Sequence, residues 1–209
     1  SQGTTSMLTG LSLEPTWFSD RVTLFLSLGT VAKLDHMTSP LLKILLISPL
    51  ALDLIKDLGI HEMFGSDFFT KEATKILCGT IPTICQFGAK IIADADPKVD
   101  DTGAARIYFG HFPSGASTKC LEHFSQIYHA KKFQLFDYGN SGNQAHYGSD
   151  SPQEIPLENI NVPIARFTGN TDCLGDVKDN DWLTPQLGGN LVFDKVYDYG
   201  HLTFFIAKD

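Results

Sequence analysis

The sequence predicts an α/β fold, with a parallel sheet covered by helices and a mainly helical block inserted after one strand. Three observations lead there. Apolar, β-rich runs stand at 21–29, 162–168 and 191–196. The first is preceded by a helix-like stretch and the last two are separated by one. About 125 residues of helical texture lie between the first run and the second. Strands interrupted by helices are the signature of parallel pairing, because parallel neighbours need a crossover.

The elements follow in chain order. Residues 1–12, "SQGTTSMLTGLS", carry small and hydroxyl residues in a first helical turn. "RVTLFLSLG", Arg21 to Gly29, ends in glycine as a buried strand does. From about Asp35 the pattern becomes helical: "LLKILL" is followed by Leu50, Leu54 and Leu58, four apart, with Gly59 as a C-cap. Short helices continue, broken at Pro49, Gly65, Pro82 and Gly88. "STKCLEHFSQIYHAKKF", Ser117 to Phe133, is a helix with Ser117 as N-cap and Leu121, Phe124, Ile127 and Tyr128 on one face. The Gly/Asn/Ser/Pro-rich stretch from Asp137 to Ile160 reads as a loop. Strands at Val162–Thr168 and Leu191–Val196, with a helix-like linker between them, complete the chain.

Composition narrows the function. With 209 residues, 43% of them hydrophobic, the chain is long enough for one sizeable core plus a subdomain. A net charge of −8 without a basic cluster argues against nucleic acid, whose phosphates require Lys and Arg. The longest apolar run, Leu41 to Leu52, contains Lys43 and Pro49 and is too short to span a bilayer. Cys78, Cys85, Cys120 and Cys173 are too few for a disulfide framework and lack zinc spacing. Cys78 and Cys85 are close enough to pair across a turn, and buried thiols are an equal alternative. No metal is expected: "HEMFG" at His61 lacks a second histidine, and "DADPKVDD", 94–101, lacks the glycine and glutamate of a calcium loop. No phosphate-cradling glycine loop is present, and no cofactor is expected.

Chemistry is suggested by the first three residues. Ser1-Gln2-Gly3 is the right-hand half of the Gly-x-Ser-x-Gly nucleophile elbow, in which a serine on a sharp strand-to-helix turn faces an oxyanion stabilised by helix amides. Ser-x-Gly turns are common, so the motif needs an acid and a base downstream. In an α/β-hydrolase these follow the serine in that order, each after a late strand. Asp172 follows "PIARFTGN" and His201 follows "LVFDKVYDYG". An Asp in a Gly/Asn loop is often a turn former, and Asp176, Asp179 and Asp181 compete with it. Six other histidines compete with His201; His123 and His129 lie on a helix. The catalytic candidates are thus Ser1, Asp172 and His201, with the backbone N–H of Gln2 as an oxyanion donor.

With those residues in place, the chain resembles the acid lipase family of gastric and lysosomal acid lipases, nearly end to end. The resemblance is carried by "SQGTT", "LSLGTVA…TSPLLK", "LCG…IC", "HFPSGAST", "FSQ", "KKFQLFDYG", "NVPIARFTGNTDCLGDV" and "YGHLTFF". It selects Ser1, Asp172 and His201 a second time. Where the family has Asp after the His-Leu pair this chain has Thr203, and Cys78 and Cys85 match two family cysteines. The resemblance implies a partial α/β-hydrolase fold whose N-terminal half is missing, including the loop that supplies a second oxyanion N–H. It divides the chain into hydrolase core at 1–34, a helical cap or lid at 35–160 and core again at 161–209. It implies a serine ester hydrolase, a lipase acting on triacylglycerol or sterol esters at a lipid interface, secreted or lysosomal. The alternatives are a non-catalytic lipid-binding or interaction protein, an amidase or thioesterase on the same fold, or an inactive fragment. Strands lacking their neighbours expose edges and apolar faces. The purified 209-residue chain is therefore expected to be unstable and to show no robust ester hydrolysis, which an assay on a chromogenic ester checks directly.

Overall fold

The strand Ile164–Gly169 has both faces covered, and the rest of the sheet is arranged around it. In the computed structural model it is the centre of a three-stranded parallel sheet. The structure describes residues 1–47 and 115–208, with isolated positions between 52 and 101. In chain order the described elements are helix α1 (Gln2–Leu13), α2 (Pro15–Ser19), strand β1 (Phe25–Leu28) and α3 (Pro40–Ile47). The two-residue strands β2 (Glu62–Met63) and β3 (Ala116–Ser117) pair antiparallel with each other. Then come α4 (Thr118–Ala130), α5 (Gly139–Tyr147), β4 (Ile164–Gly169), α6 (Val177–Leu187), β5 (Leu191–Tyr197) and α7 (Thr203–Ile206).

Strand β4 pairs with β1 on one side, Phe25 opposite Ile164 through Leu28 opposite Phe167. On the other side it pairs with β5, from Ile164 opposite Leu191 to Gly169 opposite Tyr197, with one register shift after Ile164. All three strands run in the same direction, so their carboxyl ends, at Gly29, Asn170 and Asp198, share one edge. Helix α6 makes the crossover from β4 to β5. The α/β class with a parallel sheet, read from the three apolar runs, is what the structure has. On the outer surfaces Leu26, Val192 and Val196 are exposed.

The main core joins α1, through Leu8 and Leu11, to Ile127 of α4, Phe133, Ile155, Ile160, Val162 and Ile164, and to Leu183 and Leu187 of α6. A second cluster lies over the carboxyl ends of the strands and unites Val31, Leu34, Met37 and Leu174 with Leu46 of α3. Helix α4 begins where the sequence indicates, the Ser117 hydroxyl accepting from Lys119 N–H at 3.2 Å. Leu121 and Ile127 are buried on its inner face. Gly59 has φ +68°, as a C-cap does, and Leu58 N–H donates to Leu54 C=O at 3.1 Å. Leu50, His61, Cys78, Cys85 and most of 94–101 lie outside the described residues. Cys120 and Cys173 carry no disulfide.

Two expectations are corrected. Gly88 lies within helical residues 87, 88 and 90 rather than breaking a helix, since a helical glycine costs only about 1 kcal/mol. The stretch 137–160 contains α5, where composition indicates only loop. Its helix is held by a polar centre: buried Asn143 accepts from Tyr138 N–H at 2.9 Å and donates to Asp137 at 2.7 Å. Asp137 in turn accepts from Gly139 N–H at 2.8 Å, and the Tyr138 ring stacks on His146, centroids 4.0 Å apart. Tertiary hydrogen bonds thus override weak helix propensity.

One charged side chain lies inside the sheet layer. Arg166 of β4 is 2% exposed. It donates to both carboxylate oxygens of Asp194 on β5, to Asn180 C=O at 2.7 Å and to Thr184 Oγ1 at 2.6 Å. Removing one partner strands a buried charge, whereas replacing both does not. Because Asp194 is partly solvent-accessible, Asp194→Ala is expected to cost about 2 kcal/mol, less than for a fully enclosed pair. Arg166→Met added to Asp194→Ala is expected to recover most of that loss, as read from urea unfolding midpoints of the full-length gene product.

Candidate active site

The site grows from the shared carboxyl edge of the three strands. After β4 the chain turns through Asn170 and Thr171, whose N–H groups donate to Tyr197 C=O at 2.9 Å and Tyr199 C=O at 3.1 Å. These bonds join the loop after β4 to the loop after β5 and set Asp172 facing His201. His201 Nδ1 lies 2.8 Å from Asp172 Oδ2. The other carboxylate oxygen, Oδ1, accepts from Leu174 N–H at 2.8 Å and Gly175 N–H at 2.7 Å. Both side chains are enclosed, at 7% and 0% exposure. A carboxylate out of water is tolerated only when its lone pairs are used, and here three donors use them. With Nδ1–H directed at Asp172, His201 keeps Nε2 as its acceptor.

Ser1 is the N-cap of α1, so it sits where orphan amides converge. Gln2 is the first residue of the helix, and its N–H has no intrahelical acceptor by construction. The helix start is tied to the exit of β1 by two hydroxyls: Val31 N–H donates to Thr4 Oγ1 at 3.0 Å, and Thr5 Oγ1 donates to Val31 C=O at 2.6 Å. Among the described residues His201 hydrogen-bonds Asp172 and not Ser1.

Ser1 also borders a cavity of about 40 Å³ whose other walls are apolar. Leu42 and Leu46 of α3 and Leu121 and Phe124 of α4 face Val31, Leu34 and Leu174 across it. Several of the competing residues have structural work. Asp176 caps α6 by accepting from Lys178 N–H, and Asp179 holds His36 Nδ1 at 2.8 Å. His123 and His129 bond the carbonyls of Gln134 and Leu46. Burial pushes the His123 imidazole down, against the Gln134 carbonyl. Among the described residues no group of three His, Cys, Asp or Glu is set to hold a metal, and no helix is long and apolar enough to cross a membrane.

Sequence reasoning missed the glycines that make room for the pair. Gly29 has φ +57°, and a Cβ there would lie 3.1 Å from both Cε1 and Nδ1 of His201. At Gly175 a Cβ would lie 2.7 Å from Thr30 C=O, and at Gly169 it would collide with Tyr199 C=O. The available signal was a glycine closing each of the first two apolar runs, Gly29 and Gly169, and another three residues past Asp172. Asn180, which donates to Thr30 C=O and Gly175 C=O at 3.2 Å and ties α6 to both loops, had no signal.

A parallel sheet with a buried Asp–His pair on its carboxyl edge and helices against it is an α/β arrangement that fits the hydrolase fold expected from the sequence. No family model matches the chain. Along its whole length the chain is similar to gastric triacylglycerol lipase of Rattus norvegicus, 31% identical, and to lysosomal acid lipase/cholesteryl ester hydrolase of Homo sapiens, 32% identical. It is also similar to lipase member K of Mus musculus, 25% identical. In each case the match covers 100% of this chain and 52–53% of the relative, so the chain spans about half the length of the curated relatives it matches. Among solved structures it is similar to an alpha/beta hydrolase fold protein from Nakamurella multipartita, at 16% identity and a TM-score of 0.36, covering 98% of this chain and 61% of that one. The acid-lipase resemblance read from the sequence thus extends over the entire chain.

The Gly29 contact yields a test. Gly29→Ala introduces a methyl group against the imidazole and puts a left-handed φ on an L-residue, at a cost of about 1–2 kcal/mol. The His201–Asp172 hydrogen bond is expected to be disturbed while the protein stays folded, as the nuclear magnetic resonance signal of the shared proton and circular dichroism together report.

Proposed function

We propose that this sequence forms the triad-bearing part of a serine carboxylic-ester hydrolase of the lipase kind. The observation that carries the reading is the enclosed His201–Asp172 pair on the carboxyl edge of the sheet, beside a helix whose N-cap is Ser1. A binding module has no need of an imidazole held by a buried carboxylate. End-to-end similarity to proteins named as lipases supports the same class.

In this reading Ser1 Oγ attacks the ester carbonyl carbon while its proton passes to His201 Nε2. Asp172 holds the Nδ1 proton and stabilises the imidazolium. The carbonyl oxygen becomes an oxyanion that accepts from the Gln2 N–H at the positive end of α1. The tetrahedral intermediate collapses, the alcohol leaves with the proton from His201, and Ser1 remains acylated. Water, deprotonated by His201, then attacks the acyl carbon, and the acid leaves with Ser1 restored. No metal or cofactor takes part in these steps.

The acyl chain is apolar in this proposal, because the walls facing Ser1 are leucines, valine and phenylalanine. Residues 35–160 act as the cap, with 1–34 and 161–209 as the core. Triacylglycerol or sterol ester at a lipid interface is the proposed substrate, and a secreted or lysosomal location is proposed with it, supported by the words gastric and lysosomal in the relatives' names.

The test is titration of the full-length gene product with an organophosphonate ester, followed by peptide mass mapping. One adduct at Ser1 is expected, with none in His201→Ala. Asp172→Asn is expected to slow turnover on the order of 10⁴-fold, the loss seen when an acid in this role becomes an amide. A folded protein that takes up no phosphonate would sink the hydrolase reading.

A further inference from the structure

The turn that carries His201 is gripped from a side that neither Ser1 nor Asp172 touches. Gly200 N–H donates to Thr203 Oγ1 at 3.1 Å, and Thr203 is completely buried. The same hydroxyl is hydrogen-bonded to the carboxyl of Asp100, a residue distant in sequence. Backbone pairing brings Asp100 there. Asp101 N–H donates to Ile206 C=O at 2.6 Å and Lys208 N–H to Val99 C=O at 3.2 Å, with Asp100 opposite Ala207.

A threonine hydroxyl has one proton to give and lone pairs to accept with. Its lone pair is used by Gly200 N–H, so its proton is free for the carboxyl, and both bonds together fix the rotor. Among the described residues Asp100 Oδ1 is buried without a hydrogen-bond partner. Burial pushes its carboxyl above the usual range, against the Thr203 bond. The Thr203 hydroxyl is thus a partner of the carboxyl, and Thr203 also holds the residue immediately before His201.

We propose that Asp100, acting through the Thr203 hydroxyl, is a positioning residue that fixes the turn 200–203 and hence the His201 ring. It touches neither substrate nor the reacting atoms. The inference rests on the reading of His201 as the general base.

The test uses the full-length gene product and a p-nitrophenyl ester. Thr203→Val keeps the size and removes the hydroxyl; Asp100→Leu removes the acceptor. Each is expected to lower kcat about tenfold with KM unchanged, because a displaced base slows chemistry without weakening binding. Thr203→Ser is expected to retain wild-type kcat. The double variant is expected to be no slower than either single one, since both break the same link. A nuclear magnetic resonance signal from the proton between His201 and Asp172 is expected to broaden in Thr203→Val. Wild-type kcat in either single variant, or losses that multiply in the double, would overturn the proposal. If the folded wild type hydrolyses no ester, the hydrolase reading fails instead, and an unchanged proton signal in Thr203→Val overturns the positioning role on its own.

Discussion

The carboxyl edge of this sheet depends on how the buried carboxylate of Asp172 is satisfied. An enclosed negative charge demands donors, and the fold supplies two amides to one oxygen and an imidazole to the other. Those donors belong to two separate loops, so the requirement links the segment after β4 to the segment after β5. The glycines follow from it. Gly29, Gly169 and Gly175 stand where any side chain would occupy the space of His201, a carbonyl or the carboxylate itself.

Polar links of the same kind recur one layer deeper. Arg166 binds the carbonyl of Asn180, and the amide of Asn180 donates to Thr30 and Gly175 carbonyls. Strand β4, helix α6 and the loops carrying the acid are thereby connected through groups that cannot be left unpaired out of water. Apolar packing sets where the layers lie, and these bonds set the register in which they meet. The hydroxyls of Thr4 and Thr5 do likewise for α1, clamping its first turn to Val31.

Helices α3 and α4 are joined to the edge by packing rather than by charge. Leu42, Leu46, Leu121 and Phe124 close over Val31, Leu34 and Leu174 and leave a narrow apolar space with Ser1 at its margin. One carbonyl organises the contact: Leu46 C=O accepts from Ser125 at 2.7 Å and bonds His129 at 3.1 Å, pinning α3 against α4. A chemical group delivered to Ser1 meets hydrocarbon on that side and a His–Asp pair at the neighbouring strand ends.

Local sequence determined a good deal by itself. Apolar runs long enough for buried strands, and helical spacing between them, establish a parallel α/β sheet, because a strand covered on both faces must be apolar throughout. The positions of Asp172 and His201 after two such strands made them candidates among the acids and histidines, and the acid-lipase resemblance selected them. Ser117 was readable as a cap, since capping is a contact over two residues. What tertiary structure alone decided are the features that join distant segments. Helix α5 exists because Asn143 meets Asp137, Tyr138 and Asp150 in three dimensions, against its Gly/Asn-rich composition. Gly29 matters because an imidazole 172 positions further along the chain comes to lie against it, and Asp100 because it meets Thr203 across a backbone pairing. Pattern and propensity act over a few residues, whereas the satisfaction of a buried polar group depends on whichever segment the fold delivers.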